Sequence, residues 1–173
     1  MKTIVISLSV ALSTLANAQQ IDGRFAESNR QVSINQSKNA GNMEQAKQVV
    51  NDFLMAVQQH DGEKMTALLH PNVTWSQPGK NRFAGQKRSR EEVFQMAGGM
   101  QEVAAKTLTL SAVKTLSVNG NQVACLVHWQ AAQPNGGVLN VDNIDVYTVK
   151  DGQIVNALVF SADIVQEDNF WLH

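Results

Sequence analysis

One cysteine, one tyrosine and no charge excess of either sign mark this chain of 173 residues. Cys125 has no possible partner, so no intramolecular disulfide forms. With no cysteine near the N-terminus, a lipid anchor on a lipobox cysteine is also excluded. Cys125 lies in QVACLVHW, where a small buried thiol is the economical reading. A catalytic thiolate would want a cationic neighbour, and on an extended strand positions 125 and 128 face opposite ways. Lysine and arginine number 14 against 15 acidic residues. That balance gives no electrostatic footprint for nucleic acid. The densest basic stretch, KNRFAGQKRSR at 80–90, reads as a solvated loop ahead of a helix. His60, His70, His128 and His173 are scattered, without the spacing of metal ligands. No phosphate loop, nucleophile elbow or internal repeat occurs, and no cofactor is expected.

What is present begins with a targeting segment. Lys2 supplies a positive start, residues 4–15 are largely apolar, and Ala16-Asn17-Ala18 is a small-residue cleavage site. The apolar run is short of the roughly 20 residues a membrane-spanning helix needs. Residues 1–18 are therefore expected to be a signal peptide, giving a secreted or periplasmic protein without a membrane anchor. Losing Lys2 takes the formal charge from −1 to −2. The remaining chain of about 155 residues is long enough to bury a core without covalent staples. Residues 19–41 are rich in Gln, Asn and Ser and lack sustained periodicity, so they are expected to form a mobile polar arm. The folded domain is expected over 42–173.

From residue 43 the pattern sharpens. Ala46, Val49, Val50, Phe53, Leu54 and Val57 recur at helical spacing and predict a helix to about residue 60. Asp61-Gly62 ends it, a short helix follows over 63–69, and His70-Pro71 stops that one. A strand over 72–76 leads to the loop Gln77-Pro78-Gly79. Ser89 and Glu92 form a capping box opening a helix to about Ala105. Gly98-Gly99 inside it implies either close packing or an early break. Runs of period two at 107–118, 122–132, 138–149 and 153–160 predict an antiparallel meander, followed by a closing helix or tail. Helices segregated from a sheet make an α+β sandwich. A curved sheet would enclose a cavity against them.

The last hairpin carries the most chemistry. In VLNVDNIDVYTVKDGQIVNALVF, Asp151-Gly152 is a strong turn signal. Asn143, Asp145 and Tyr147 share one face of the strand, with Ile144 and Val146 on the other. Facing inward, that row places a carboxylate in a pocket; the alternative reading of Asp145 is a paired structural carboxylate.

The segment 43–171 resembles the nuclear transport factor 2-like (NTF2-like) superfamily, and within it the SnoaL-like and ketosteroid isomerase group. The resemblance is carried by VVNDFLMAVQQHDGEKMTALLHPNVTW, PGKNRFAGQKRSREEVF and VDNIDVYTVKDGQIVNALVF, with FW near the end. It implies a cone of curved, largely antiparallel sheet packed on N-terminal helices, a homodimer, and a pocket for a small apolar molecule. The isomerase pattern transfers only in part. Phe53 stands where the oxyanion-holding Tyr belongs, and Gln77 stands before Pro78 where the base Asp belongs. Asp145 alone matches, as a carboxylic acid that an apolar site could keep neutral.

Asp145 and His128 are therefore the candidate catalytic residues. They would form a His–Asp pair if the His128 face of its strand is concave; otherwise His128 makes a hydrogen bond on the exposed face. Trp75, Asn143, Tyr147, Phe53 and Trp129 are candidate ligand-binding residues. Three functions stay open: isomerase- or cyclase-like acid–base chemistry, non-catalytic binding in the same cavity, and a homodimerising module filled by its own side chains.

Overall fold

Helix α1, Ser9–Gln59, is the first element of the computed structural model, which describes residues 9–172. The chain divides into two compact units at Gly41 and Asn42. In the first, residues 24–41 of the expected polar arm are helical and exposed. The physical reason is composition. No proline interrupts residues 1–70, and a helix with no buried face needs no apolar periodicity. Side chains bond along it instead, Ser33 Oγ to the Asn29 carbonyl and Ser37 Oγ to the Ile34 carbonyl, both at 2.9 Å. The expected n-region, with Lys2, lies outside the described residues. No described helix is long and apolar enough to cross a membrane.

In the second unit, the rest of α1 buries Ala46, Val49, Val50, Phe53, Leu54 and Ala56 on one face, the stripe its spacing predicts. Helix α2 (Gly62–Leu68) is capped by Asp61, whose side chain accepts from the Lys64 amide at 2.9 Å. Strand β1 (Leu69–Gln77) starts earlier than the expected 72–76 and contains Pro71. Its pairing with β6 slips between Leu69 and Thr74, where proline cannot donate to the ladder. Strand β2 (Gly85–Lys87) pairs with β1 and lies inside the basic stretch expected as a loop. Three residues are too few to show a period. Lys87 there is not freely solvated; its Nζ donates to the carbonyls of Phe83 and Ala84 at 2.9 and 3.1 Å.

Helix α3 (Arg90–Val103) begins at Ser89, whose Oγ accepts from the Glu92 amide at 3.2 Å. Glu92 reaches back to the Arg88 amide rather than to Ser89, at 2.7 Å. Strands β3 (Thr109–Asn119), β4 (Gln122–Ala132), β5 (Val138–Lys150) and β6 (Gln153–Ser161) form the antiparallel meander. The six strands run in the order β2-β1-β6-β5-β4-β3, with β1 parallel to β6. At the β5–β6 turn both Asp151 and Gly152 take positive φ, 51° and 79°, as a two-residue hairpin of this kind requires. Helix α4 (Ile164–Trp171) is capped by Asp163, which accepts from the Gln166 amide at 2.9 Å. The fold is α+β, with helices on the inner face of an open curved sheet.

The glycine pair does not break α3. Gly99 packs on Phe83, where an added Cβ would stand 2.8 Å from the ring, while a Cβ at Gly98 would meet nothing within 4 Å. Gly98→Ala therefore raises stability by up to about 1 kcal/mol through helix propensity. Gly99→Ala lowers it, because Phe83 is held against Trp171 at 5.6 Å and overpacking is costly. Urea unfolding of the two variants checks the opposite signs.

Candidate functional site

Alternation along β5 turns Leu139, Val141, Asn143, Asp145 and Tyr147 inward and leaves Ile144 outside. The Tyr147 hydroxyl donates to Asp145 Oδ2 at 2.8 Å. Asp145 is only 2% exposed. Burial pushes its carboxyl up to about 7; the Tyr147 hydrogen bond pulls it down, and the nearby Glu167 pushes it up. Tyr147 itself is held above the ordinary phenol range by burial and by the carboxyl beside it. The pair, with Asn143 and Glu167, makes a small polar cluster among the buried apolar side chains.

Two cavities adjoin this row. The larger, about 320 Å³, lies between the sheet and the three helices α1, α2 and α3, with Phe53, Phe94, Trp75, Trp129 and Tyr147 among its walls. Phe53, Trp75 and Tyr147 form an aromatic corner with ring centroids 6.0–6.4 Å apart, in the range of edge-to-face and tilted contacts. Its only titratable wall residues, among those described, are His60 and Tyr147. The smaller cavity, about 60 Å³, is lined by Gln77, Asn143, Glu167 and Trp171 together with apolar side chains. Met100, Leu108 and Trp129 belong to both walls. Gln77 is oriented by Trp75, whose indole N–H donates to its Oε1 at 3.2 Å.

The candidate ligand-binding residues come together. Phe53, Trp75, Trp129 and Tyr147 wall the larger cavity, and Asn143 and Trp129 wall the smaller. Asp145 stands behind Tyr147 rather than on either wall. His128 does not join them, and the conditional His128–Asp145 pair does not form. In the β4–β5 ladder Cys125 is opposite Asp145 and His128 is opposite Asp142, so the imidazole lies on the outer face. There Nδ1 meets Asp142 Oδ1 at 2.6 Å and Nε2 meets Asn140 Oδ1 at 2.9 Å. The Asp142 hydrogen bond, helped by Asn140, raises its basicity. Cys125 is buried, and burial pushes its thiol up to about 11, which leaves it a poor nucleophile at neutral pH.

Glu167 escaped sequence reasoning. It is as buried as Asp145. Burial raises its carboxyl, opposed by hydrogen bonds from Ser161, Asn143 and Trp171. The signal was available: Glu167, Phe170 and Trp171 are spaced three and four apart, which puts the carboxyl on the face of α4 carrying the aromatics. No group of three His, Cys, Asp or Glu among the described residues is arranged to hold a metal ion.

Comparison with known proteins agrees with this architecture. A family model described as the SnoaL-like domain matches residues 50–157. A protein of unknown function with a cystatin-like fold from Xanthomonas campestris is 31% identical, with a TM-score of 0.70 over 74% of this chain and 98% of its own. An NTF2-like protein from Burkholderia pseudomallei has 19% identity and a TM-score of 0.63, over 75% and 98% of the two chains. TerC, co-crystallised with polyporic acid, has 16% identity and a TM-score of 0.64, over 73% and 98%. No curated protein matches the sequence. The family model spans most of the second unit and more than half of the chain: the protein belongs to the SnoaL-like domain family and has the NTF2-like fold.

Proposed function

We propose that the domain binds a small, mainly apolar molecule in the larger cavity. The observation that carries this reading is the cavity itself. At about 320 Å³ it has the size of a small-ligand site, and its few polar groups among aromatic walls are what such sites use to orient a ligand. TerC, of the same fold, was crystallised with polyporic acid, which adds support. Export by the expected signal peptide would make the ligand an environmental or cell-envelope molecule.

The test is titration with naphthalene-based compounds, followed by tryptophan fluorescence, since Trp75 and Trp129 both wall the cavity. One saturable site per chain is expected. Ala97 also lies on the wall, so Ala97→Trp, which adds an indole to that wall, weakens binding at least tenfold. Binding that is absent, or indifferent to Ala97→Trp, would count against the proposal.

A second reading is acid–base chemistry of the isomerase or cyclase kind on the bound molecule. Asp145, held near 7, lies in the range suited to proton transfer at neutral pH, and Tyr147 links it to the cavity wall. Turnover of any substrate would then fall by two orders of magnitude or more in Asp145→Asn, with binding retained.

Self-association through the outer face of the sheet is a third element of the proposal. Ile144, Leu158 and Phe160 are 42%, 38% and 57% exposed, and Ile144 faces Phe160 across the β5–β6 ladder. The expected species is a homodimer, and Phe160→Lys shifts it to monomer in sedimentation experiments. A wild-type protein that sediments as a monomer would remove this element.

A further inference from the structure

The smaller cavity is unusual in what it lacks. Three buried acceptor atoms, Asn143 Oδ1, Asp145 Oδ1 and Glu167 Oε1, have no hydrogen-bond partner. Buried polar atoms are nearly always paired, so these orphans, two of them on residues of the smaller cavity's wall, need an explanation. Asn143 and Glu167 are 4% and 2% exposed and both line this cavity. Asp145, two residues along β5 from Asn143, supplies a second carboxyl behind them.

All three orphans are acceptors, and two belong to carboxyl groups. No cationic side chain is among the groups that set the charge state of either carboxyl; Asp145 has Tyr147, Cys125 and Glu167 as titratable neighbours, and Glu167 has Asp145 and Asp168. The chamber is thus complementary to a small group that donates several hydrogen bonds and carries positive charge. Its volume, about 60 Å³, is that of roughly two water molecules and suits a primary ammonium. Its shared walls, Met100, Leu108 and Trp129, adjoin it to the apolar cavity.

We propose that the chamber between β5 and α4 is a subsite for the primary ammonium of an otherwise apolar amine, received by Asn143 Oδ1 and Glu167 Oε1 with Asp145 behind them. The apolar body of the amine lies in the larger cavity, so the inference rests on the binding reading above and adds the class of ligand. The geometry selects an amine over an alcohol of equal shape, because an ammonium has three donors and a hydroxyl has one. It rejects a carboxylate, which would meet the acceptors of Asn143 and Glu167 and supply neither with a proton. The head group therefore differs in sign from an acid such as the one crystallised with TerC.

The test uses three compounds with one aromatic body: 2-(2-naphthyl)ethylamine, 2-(2-naphthyl)ethanol and 2-naphthylacetate. Calorimetric titration at pH 8 is expected to show the amine binding at least tenfold more tightly than the alcohol, and the acetate least. Glu167→Gln is nearly isosteric and should bring the amine's affinity down to that of the alcohol. Asn143→Leu does the same to a smaller degree, and thermal unfolding of each variant establishes that it is folded. If the alcohol binds as well as the amine, or the preference survives Glu167→Gln, the head-group assignment is wrong while the apolar-cavity reading stands. If none of the three binds, the cavity reading falls and takes the subsite with it.

Discussion

Asp145→Asn stabilises the protein by about 3 kcal/mol more at pH 8 than at pH 5. The argument runs from burial to linkage. In the unfolded chain this carboxyl ionises at its ordinary value of 3.8, and in the fold at about 7. A carboxyl whose folded value is raised binds its proton more tightly in the native state. Its contribution is undiminished below pH 4 and is lost as pH rises from about 4 to about 7, each unit costing about 1.4 kcal/mol. Above 7 both states are ionised and the loss levels off. An amide of the same shape has no proton to lose, and its oxygen can still accept from Tyr147. Glu167 is shifted in the same direction, with burial as the main cause, so Glu167→Gln tilts the profile in the same sense. Urea unfolding of wild type and Asp145→Asn at the two pH values gives the difference directly. An equal effect at both would mean the carboxyl is not held near neutrality.

Trp171→Ala lowers stability by about 3–5 kcal/mol, the range for truncating a fully packed aromatic. Trp171 is among the largest buried side chains of the fold. Its ring meets Phe170 at 4.6 Å and Phe83 at 5.6 Å, both edge to face, and it forms part of the wall of the smaller cavity. Losing it detaches α4 from β5, and with α4 goes Glu167. The neighbouring Leu172 is 57% exposed, so Leu172→Ala serves as the control and changes stability by less than about 0.5 kcal/mol. Thermal unfolding distinguishes the two. If Trp171→Ala were as mild as Leu172→Ala, α4 would not be part of the core.

Most of the second unit was legible because each of its elements had a face to bury. The stripe from Ala46 to Val57 and the period-two runs follow from one-sided burial, the Ser89 cap from the unpaired amides at a helix start, and all form where the spacing puts them. Residues 24–41 are helical and exposed, and a helix with no buried face leaves no apolar stripe in the sequence. β2 was too short to carry a pattern. Within the site, β5 alternation placed Asn143, Asp145 and Tyr147 on one inner face, but alternation alone could not say which face of β4 was inner. His128 went to the other side because Val123, Cys125 and Val127 are the more apolar set. Glu167 is legible only through its spacing of three and four from Phe170 and Trp171, which puts it on the buried face of α4.

The central claim, that a small apolar molecule enters between the helices and the inner face of the sheet, is tested most directly by amide and indole NMR during titration with 2-(2-naphthyl)ethanol. The account predicts shifts at the indole N–H groups of Trp75 and Trp129 and at the Gly98 amide, with Ile144 and Phe160 on the outer face unmoved. Shifts confined to Ile144, Leu158 and Phe160, with both cavity indoles unchanged, would contradict it.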